Sequence, residues 1–150
     1  VLPSAAAATP PPGKAEVRLV ACHHAERPAY RRLEVEGEMR AAAAGEGLRM
    51  RFDLYRRLGA RRPFTRVPGH GLGIFYRAGS GAGAYEFRKA VRNLPAADYR
   101  MVVTFEWVAG DGSVRKRMAR SAPVCRQPEL RPDLQLRSLR CPAAQPSGRL

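Results

Sequence analysis

Long apolar runs are missing from this sequence. No stretch of about 18 or more apolar residues occurs, so no segment reads as a membrane-spanning helix. Sustained helical periodicity is missing too. The alanine-rich stretch 41–47 favours a helical turn by propensity, but Gly45 and Gly47 make it a loop. Lysine is scarce: Lys14, Lys89 and Lys116 are the only three among 27 basic residues, which leaves 24 arginines. Acidic residues number 13, so the formal net charge is +14 and the pI is near 11.1. Cysteine is limited to Cys22, Cys125 and Cys141, whose spacing matches no paired structural zinc motif.

A charge of this size ordinarily points to nucleic acid or a membrane surface. Arginine, alanine, glycine and proline share GC-rich codons, however, and the arginines are scattered over nearly every segment. Genome composition therefore accounts for much of the bias, and polyanion binding stands as the second reading. Whatever its role, the protein is expected to adhere to anionic polymers at low salt.

The 150 residues allow one domain with tails. Residues 1–14 are rich in alanine and proline and read as a linker or as the remnant of a secretory signal. From Ala15 onward, period-2 alternation dominates. Val17, Leu19 and Ala21 lead a first strand to Cys22, and a polar connection holds Pro28. Leu33, Val35, Gly37 and Met39 alternate with Glu34, Glu36 and Glu38; Leu48, Met50, Phe52 and Leu54 alternate with Arg49, Arg51 and Asp53. The opposite charges of these two strands favour pairing them with each other. A basic loop, 56–71, contains a short strand near Phe64–Val67, and a further strand is expected over 72–77. Tyr85, Phe87 and Val91 form another strand whose alternation slips near Lys89 and Ala90, as at a bulge. The clearest alternation is Tyr99, Met101, Val103, Phe105 and Trp107, followed by a hairpin loop at 109–113 and a last strand from Val114 that ends at Cys125. About seven antiparallel strands make the fold class all-β, a sandwich over residues 15–127. Residues 128–150 read as a Pro-rich tail or the start of a following domain.

Cys22 and Cys125 bracket the globular part, and a bridge between them would tie its two terminal strands. Such a bridge belongs to an oxidising compartment. Cys141 is left over, free or paired between chains.

Few residue groups carry chemistry. Cys22, His23, His24 and Cys125 can be written as a zinc set, but adjacent histidines on a strand point to opposite faces. Cys–His nucleophilic catalysis lacks an orienting third group. The glycine-rich stretch Gly69-His70-Gly71-Leu72-Gly73 lacks the following helix and the Lys-Ser/Thr of a phosphate loop, so loop geometry explains its glycines. Arg56, Arg57, Arg61 and Arg62, interleaved with Tyr55 and Phe64, are the closest approach to a basic patch with aromatics and form the candidate partner-binding set. Tyr99 and Trp107 lie on the apolar face and read as core. No constellation meets the requirements of an active site, and no metal or cofactor is expected.

Leu94-Pro95-x-x-x-Tyr99 resembles the corner that opens the penultimate strand of immunoglobulin and fibronectin-III sandwiches, where the tyrosine hydroxyl bonds upstream backbone. The segment from Cys22 to Cys125, with Gly71-Leu-Gly-Ile-Phe-Tyr76 and the strand ending in Trp107, also resembles immunoglobulin-like modules of secreted actinobacterial proteins. Those modules often precede a CARDB (cell adhesion related) domain, whose opening is similar to Pro132-Asp-Leu-Gln-Leu136. The resemblance implies a secreted or cell-surface, non-enzymatic structural or adhesion-type module that offers loops or an edge strand to a protein or a cell-surface polymer. No CARDB domain follows in this sequence, so its adhesive role does not carry over.

Overall fold

The structure is a computed structural model in which residues 9–129 are described. It is all-β apart from one 3-10 turn at Pro28–Tyr30. The strands are β1 (Ala15–His23), β2 (Arg32–Arg40), β3 (Gly47–Arg57), β4 (Thr65–Val67), β5 (Phe75–Arg77), β6 (Ala84–Arg92), β7 (Ala97–Val108), β8 (Val114–Ser121) and β9 (Cys125–Gln127). The count exceeds the expected seven by two three-residue strands, Thr65–Val67 and Cys125–Gln127, the second of them split from the expected last strand. All pairings are antiparallel. One sheet runs β1-β2-β6; the other runs β4-β3-β7-β8, with β5 also on β3 and β9 also on β7.

The period-2 residues supply the core. Val35, Met39, Met50, Phe52, Met101, Val103 and Phe105 are fully buried, and both sheets contribute to one apolar cluster in a sandwich-like arrangement. Gly37 is required at its position in β2. A methyl group there would lie 2.8 Å from Met50 Sδ and 3.2 Å from the Phe105 ring. The Tyr99 hydroxyl donates to Pro95 O at 2.6 Å and Leu94 is buried beside it, the backbone bond expected of the corner.

Four expectations are corrected. β2 and β3 do not pair; they lie in different sheets. Glu36 instead takes Arg18 and Arg88 from its own neighbours β1 and β6, and Arg49 takes Glu106 of β7, so these charges find their partners within their own sheets. Only Phe75–Arg77 of the expected 72–77 strand pairs, because Gly71 and Gly73 hold the preceding loop at positive φ. β6 has no bulge: it runs in unbroken register with β2, and Lys89 takes an inward position in the series Tyr85, Phe87, Lys89, Val91. The last strand does not continue to Cys125 but is broken at Ala122-Pro123-Val124, where proline cannot donate to the ladder; Cys125 starts β9. At the amino end, the strands begin at Ala15 as expected, yet Gly13 N donates to Arg40 O at 3.0 Å and Pro10 is buried. The last residues before the first strand thus pack on the sandwich. Cys141 and Pro132–Leu136 lie outside the described residues.

The bridge Cys22–Cys125 is present, with Cα atoms 5.6 Å apart, and joins β1 of one sheet to β9 of the other. A local irregularity makes it reachable. Leu19 pairs with Val35 but Ala21 pairs with Glu34, so Val20 is an extra residue. Strict alternation from Leu19 would turn Cys22 outward; the bulge turns it inward, opposite buried Leu33.

Each sheet closes its middle strand in the same way. Glu106 of β7 is fully buried, with Oε1 bound by Arg49 at 2.8 Å and Oε2 by Arg117 at 2.8 Å from the flanking strands. Glu36 of β2 has Oε1 bound by Arg18 at 2.9 Å and Oε2 by Arg88. Burial pushes both carboxyls up, but the paired guanidiniums outweigh it and hold them below the usual 4.5. Glu38, two residues from Glu36, is the converse. It is raised by burial and by Glu86, Glu36 and Glu16, and Glu16 and Glu86 lie directly across from it on β1 and β6.

Replacing Cys22 and Cys125 with alanine should lower unfolding free energy by about 2–5 kcal/mol in denaturant titration; a loss below about 1 kcal/mol would mean the bridge only decorates a self-sufficient fold. Because Glu106 has a lowered pKa, its contribution is present above 4.5 and is lost as pH falls through the folded value. Glu106→Gln should therefore destabilise at neutral pH and flatten stability against pH below 4.5. Glu38→Gln should stabilise at pH 7, by a few tenths of a kcal/mol, with the gain vanishing in acid. Denaturation midpoints from pH 3 to pH 7 check both signs.

Candidate functional site

The four arginines of the candidate set do not share one surface. They sit at the end of the sandwich that carries the bridge, since Arg57 pairs with Asp98 and Tyr99 pairs with Cys125. Successive strand residues point to opposite faces. Arg57 lies on the outer face, salt-bridged to Asp98 at 3.0 Å, and Arg56 points to the inner side. Arg61 and Arg62 are exposed in the loop 58–64. Phe64 closes that loop by lying between two guanidiniums on the outer face, Arg57 at 4.5 Å and Arg100 at 4.3 Å from the ring centroid. The ring is thereby engaged, and the stacking platform a nucleic-acid surface needs is already occupied by the protein's own arginines.

Much of the remaining outer charge of the large sheet is also neutralised. Asp53 bridges Arg51 and Arg66, each at 2.8 Å, and Glu106 bridges Arg49 and Arg117. Arg49 and Arg51 further cover the Phe75 ring. Among the described residues no group of three or more His, Cys, Asp or Glu side chains converges as a metal site, and His23 and His24 are exposed. No helix of the described residues is long and apolar enough to cross a membrane.

Arg56 leads to a feature that no single stretch of sequence announces. A cleft of about 430 Å³ opens at the bridged end, between β6, the free edge of the small sheet, and the loop 68–72 that follows β4. Its walls are apolar where Leu54, Val67, Leu72, Val91 and Leu94 reach it. Its polar groups are Arg56, His70, Lys89, Arg92, Asn93 and Tyr99, with no carboxylate among the lining side chains.

Each wall has a local cause. Arg56 continues the inward series Met50, Phe52, Leu54 of β3, one step beyond the end of the core, so its guanidinium lies beside the Tyr99 hydroxyl. Its Nε is buried with no hydrogen-bond partner. Burial pushes the Tyr99 hydroxyl above its ordinary value of 10.0, and the Arg56 and Arg31 cations pull it part of the way back. Lys89 enters from β6 by the alternation described above. The glycine-rich stretch 69–73 forms the facing wall: Gly71 sits at φ +71°, its carbonyl accepts the Tyr76 hydroxyl at 2.8 Å, and any side chain there would collide with Lys89 Nζ. Its glycines serve loop geometry, as expected. Behind the cleft, Arg31 is only 5% exposed and donates to the carbonyls of Ala25 and Leu94, with no carboxylate partner among the described residues.

Tyr99 and Trp107 are each 1% exposed, core residues as expected. Trp107 Nε1 donates to Arg40 O at 2.8 Å, and Lys116 lies over its ring, so the indole is fully engaged inside the fold. No family model, curated protein or solved structure matches this chain.

Proposed function

We propose that this chain is a non-enzymatic structural or adhesion-type module of the immunoglobulin or fibronectin-III-like class, secreted or displayed at a cell surface. The observation that carries the reading is the Cys22–Cys125 bridge, which ties the first and last strands across the two sheets and is stable in oxidising compartments. The corner bond from Tyr99 to Pro95 supports the class. The bridge anchors the end of the sandwich from which the 58–64 loop projects, a rigid base for a loop that meets a protein or a cell-surface polymer. Kinship with modules that precede CARDB domains is part of the same proposal and rests on sequence resemblance alone.

A second reading, a basic polyanion binder, draws on the net charge of +14 and on the exposed Arg61 and Arg62. The ion pairs around Glu106, Asp53 and Asp98 weigh against it, because they consume arginines that would otherwise meet phosphates.

Two measurements separate the readings. In protein isolated from its native source, the module reading expects no alkylatable thiol at Cys22 or Cys125; reactive thiols at both would place the chain in a reducing compartment and overturn it. A single-stranded oligonucleotide and an anionic polysaccharide should each lose about a thousandfold or more in affinity between about 50 and 200 mM salt. Specific binding that persists at the higher salt, and is abolished by neutralising Arg56, Arg57, Arg61 and Arg62 together, would promote the polyanion reading.

A further inference from the structure

We infer that the cleft at the bridged end is a binding site for a small amphipathic anion, a carboxylate or phosphate group carried on a short apolar body. The inference goes beyond the module reading and does not depend on it.

Three observations converge. First, the cleft gathers three cations and excludes acids: Arg56, Lys89 and Arg92 line it, and none of its lining side chains is a carboxylate. Second, two of these cations are drawn inward. Lys89 occupies a position that the alternation of β6 assigns to an apolar side chain, and the buried Nε of Arg56 has no partner. Cations facing a common cleft gain charge-assisted hydrogen bonds when an anion enters between them. Third, apolar side chains line part of the wall, Leu54, Val67, Leu72, Val91 and Leu94, beside the neutral polar groups of Asn93 and Tyr99. A wall of that kind rewards an apolar body and disfavours a fully hydrated inorganic ion. The volume lies within the usual range of small-molecule pockets, about 300–1,000 Å³.

An inward lysine on an edge strand has a simpler use, as a guard against edge-to-edge association. That use accounts for Lys89 alone. It leaves unexplained why Arg56 from the opposite sheet meets the same cleft and why no carboxylate does.

The test uses octanoate and octyl phosphate as probes and octanol as the uncharged control, titrated into the full chain at about 150 mM salt to screen surface charge. Binding is followed by calorimetry and by amide chemical shifts. The expected result is one saturable site for at least one of the two anions, with octanol at least about tenfold weaker. Tighter octanoate would assign a carboxylate ligand and tighter octyl phosphate a phosphate ligand. Shifts should centre on His70, Lys89, Leu94 and Tyr99. Lys89→Gln and Arg92→Gln should each weaken binding about tenfold, and Lys89→Arg should retain it. Octanol binding as tightly as both anions would overturn the proposal. So would shifts spread over the outer arginine face, unchanged affinity in both glutamine variants, or no saturable binding. If Lys89→Gln aggregates or fails to fold, Arg92→Gln and the wild-type shift map decide. Aggregation with unchanged anion affinity in the remaining monomer leaves Lys89 as an edge guard and overturns its role in the site.

Discussion

Strand β7 is buried along its inner face and, around Thr104 and Glu106, on its outer face as well, and much of the molecule follows from that constraint. Its inner side chains, from Tyr99 to Trp107, fill the core. Its outer face is roofed by neighbours, which leaves Glu106 with no exposure at all. A carboxylate in that position is tolerable only if both oxygens are bound, and Arg49 and Arg117 bind one each from the strands on either side. The small sheet repeats the arrangement with Glu36 between Arg18 and Arg88. Arginine suits this role better than lysine, since its planar fork keeps its charge and reaches across a strand spacing. The arginine bias of the composition is thus put to structural use, whatever its origin.

With only 13 acidic residues against 27 basic ones, this use of carboxylates has a consequence elsewhere. Glu36, Asp53, Asp98 and Glu106 are committed to the outer faces of the sheets. The cleft beside Leu94 and Tyr99 receives cations and no carboxylate. The disulfide holds the same end, because Cys22 lies opposite Leu33 on β2 and Cys125 opposite Tyr99 on β7. Gln127, 1% exposed, adds a bond from its Nε2 to His23 O at 3.0 Å, a second tie between the terminal strands. The bridge and this bond therefore cross-link the same end of the sandwich that holds the cleft.

The strands with clean alternation, β2, β3 and β7, were legible because each carries a run of four or five apolar residues on one face. The corner at Leu94–Tyr99 and the bridge were legible because few residue types produce them. Strand partners were not. Complementary charge suggested β2 against β3, but a glutamate can be satisfied by arginines of any neighbouring strand in register, and for Glu36 β1 and β6 supplied them. The extra residue at Val20 has no compositional signature, since bulges accept ordinary apolar residues; yet it decides which way Cys22 points. Lys89 looked like a slip in phase because an inward lysine and a bulge leave the same mark on a pattern of apolar residues. The arginine set lost its unity for an elementary reason, that Arg56 and Arg57 are consecutive on a strand. The cleft was invisible in sequence because its walls come from four separated stretches, 54–56, 67–72, 89–95 and Tyr99.

The central claim is that the bridge anchors the end holding the cleft, while the paired carboxylates hold the sheets themselves. Native-state amide hydrogen exchange, before and after selective reduction of Cys22–Cys125, tests it most directly. Reduction should strip protection first from Leu33, Val91 and Tyr99, at the bridged end, while Met39, Phe105 and Trp107 stay protected. Uniform loss of protection along β2 and β7 would contradict it, and would mean that the bridge acts only through the unfolded chain.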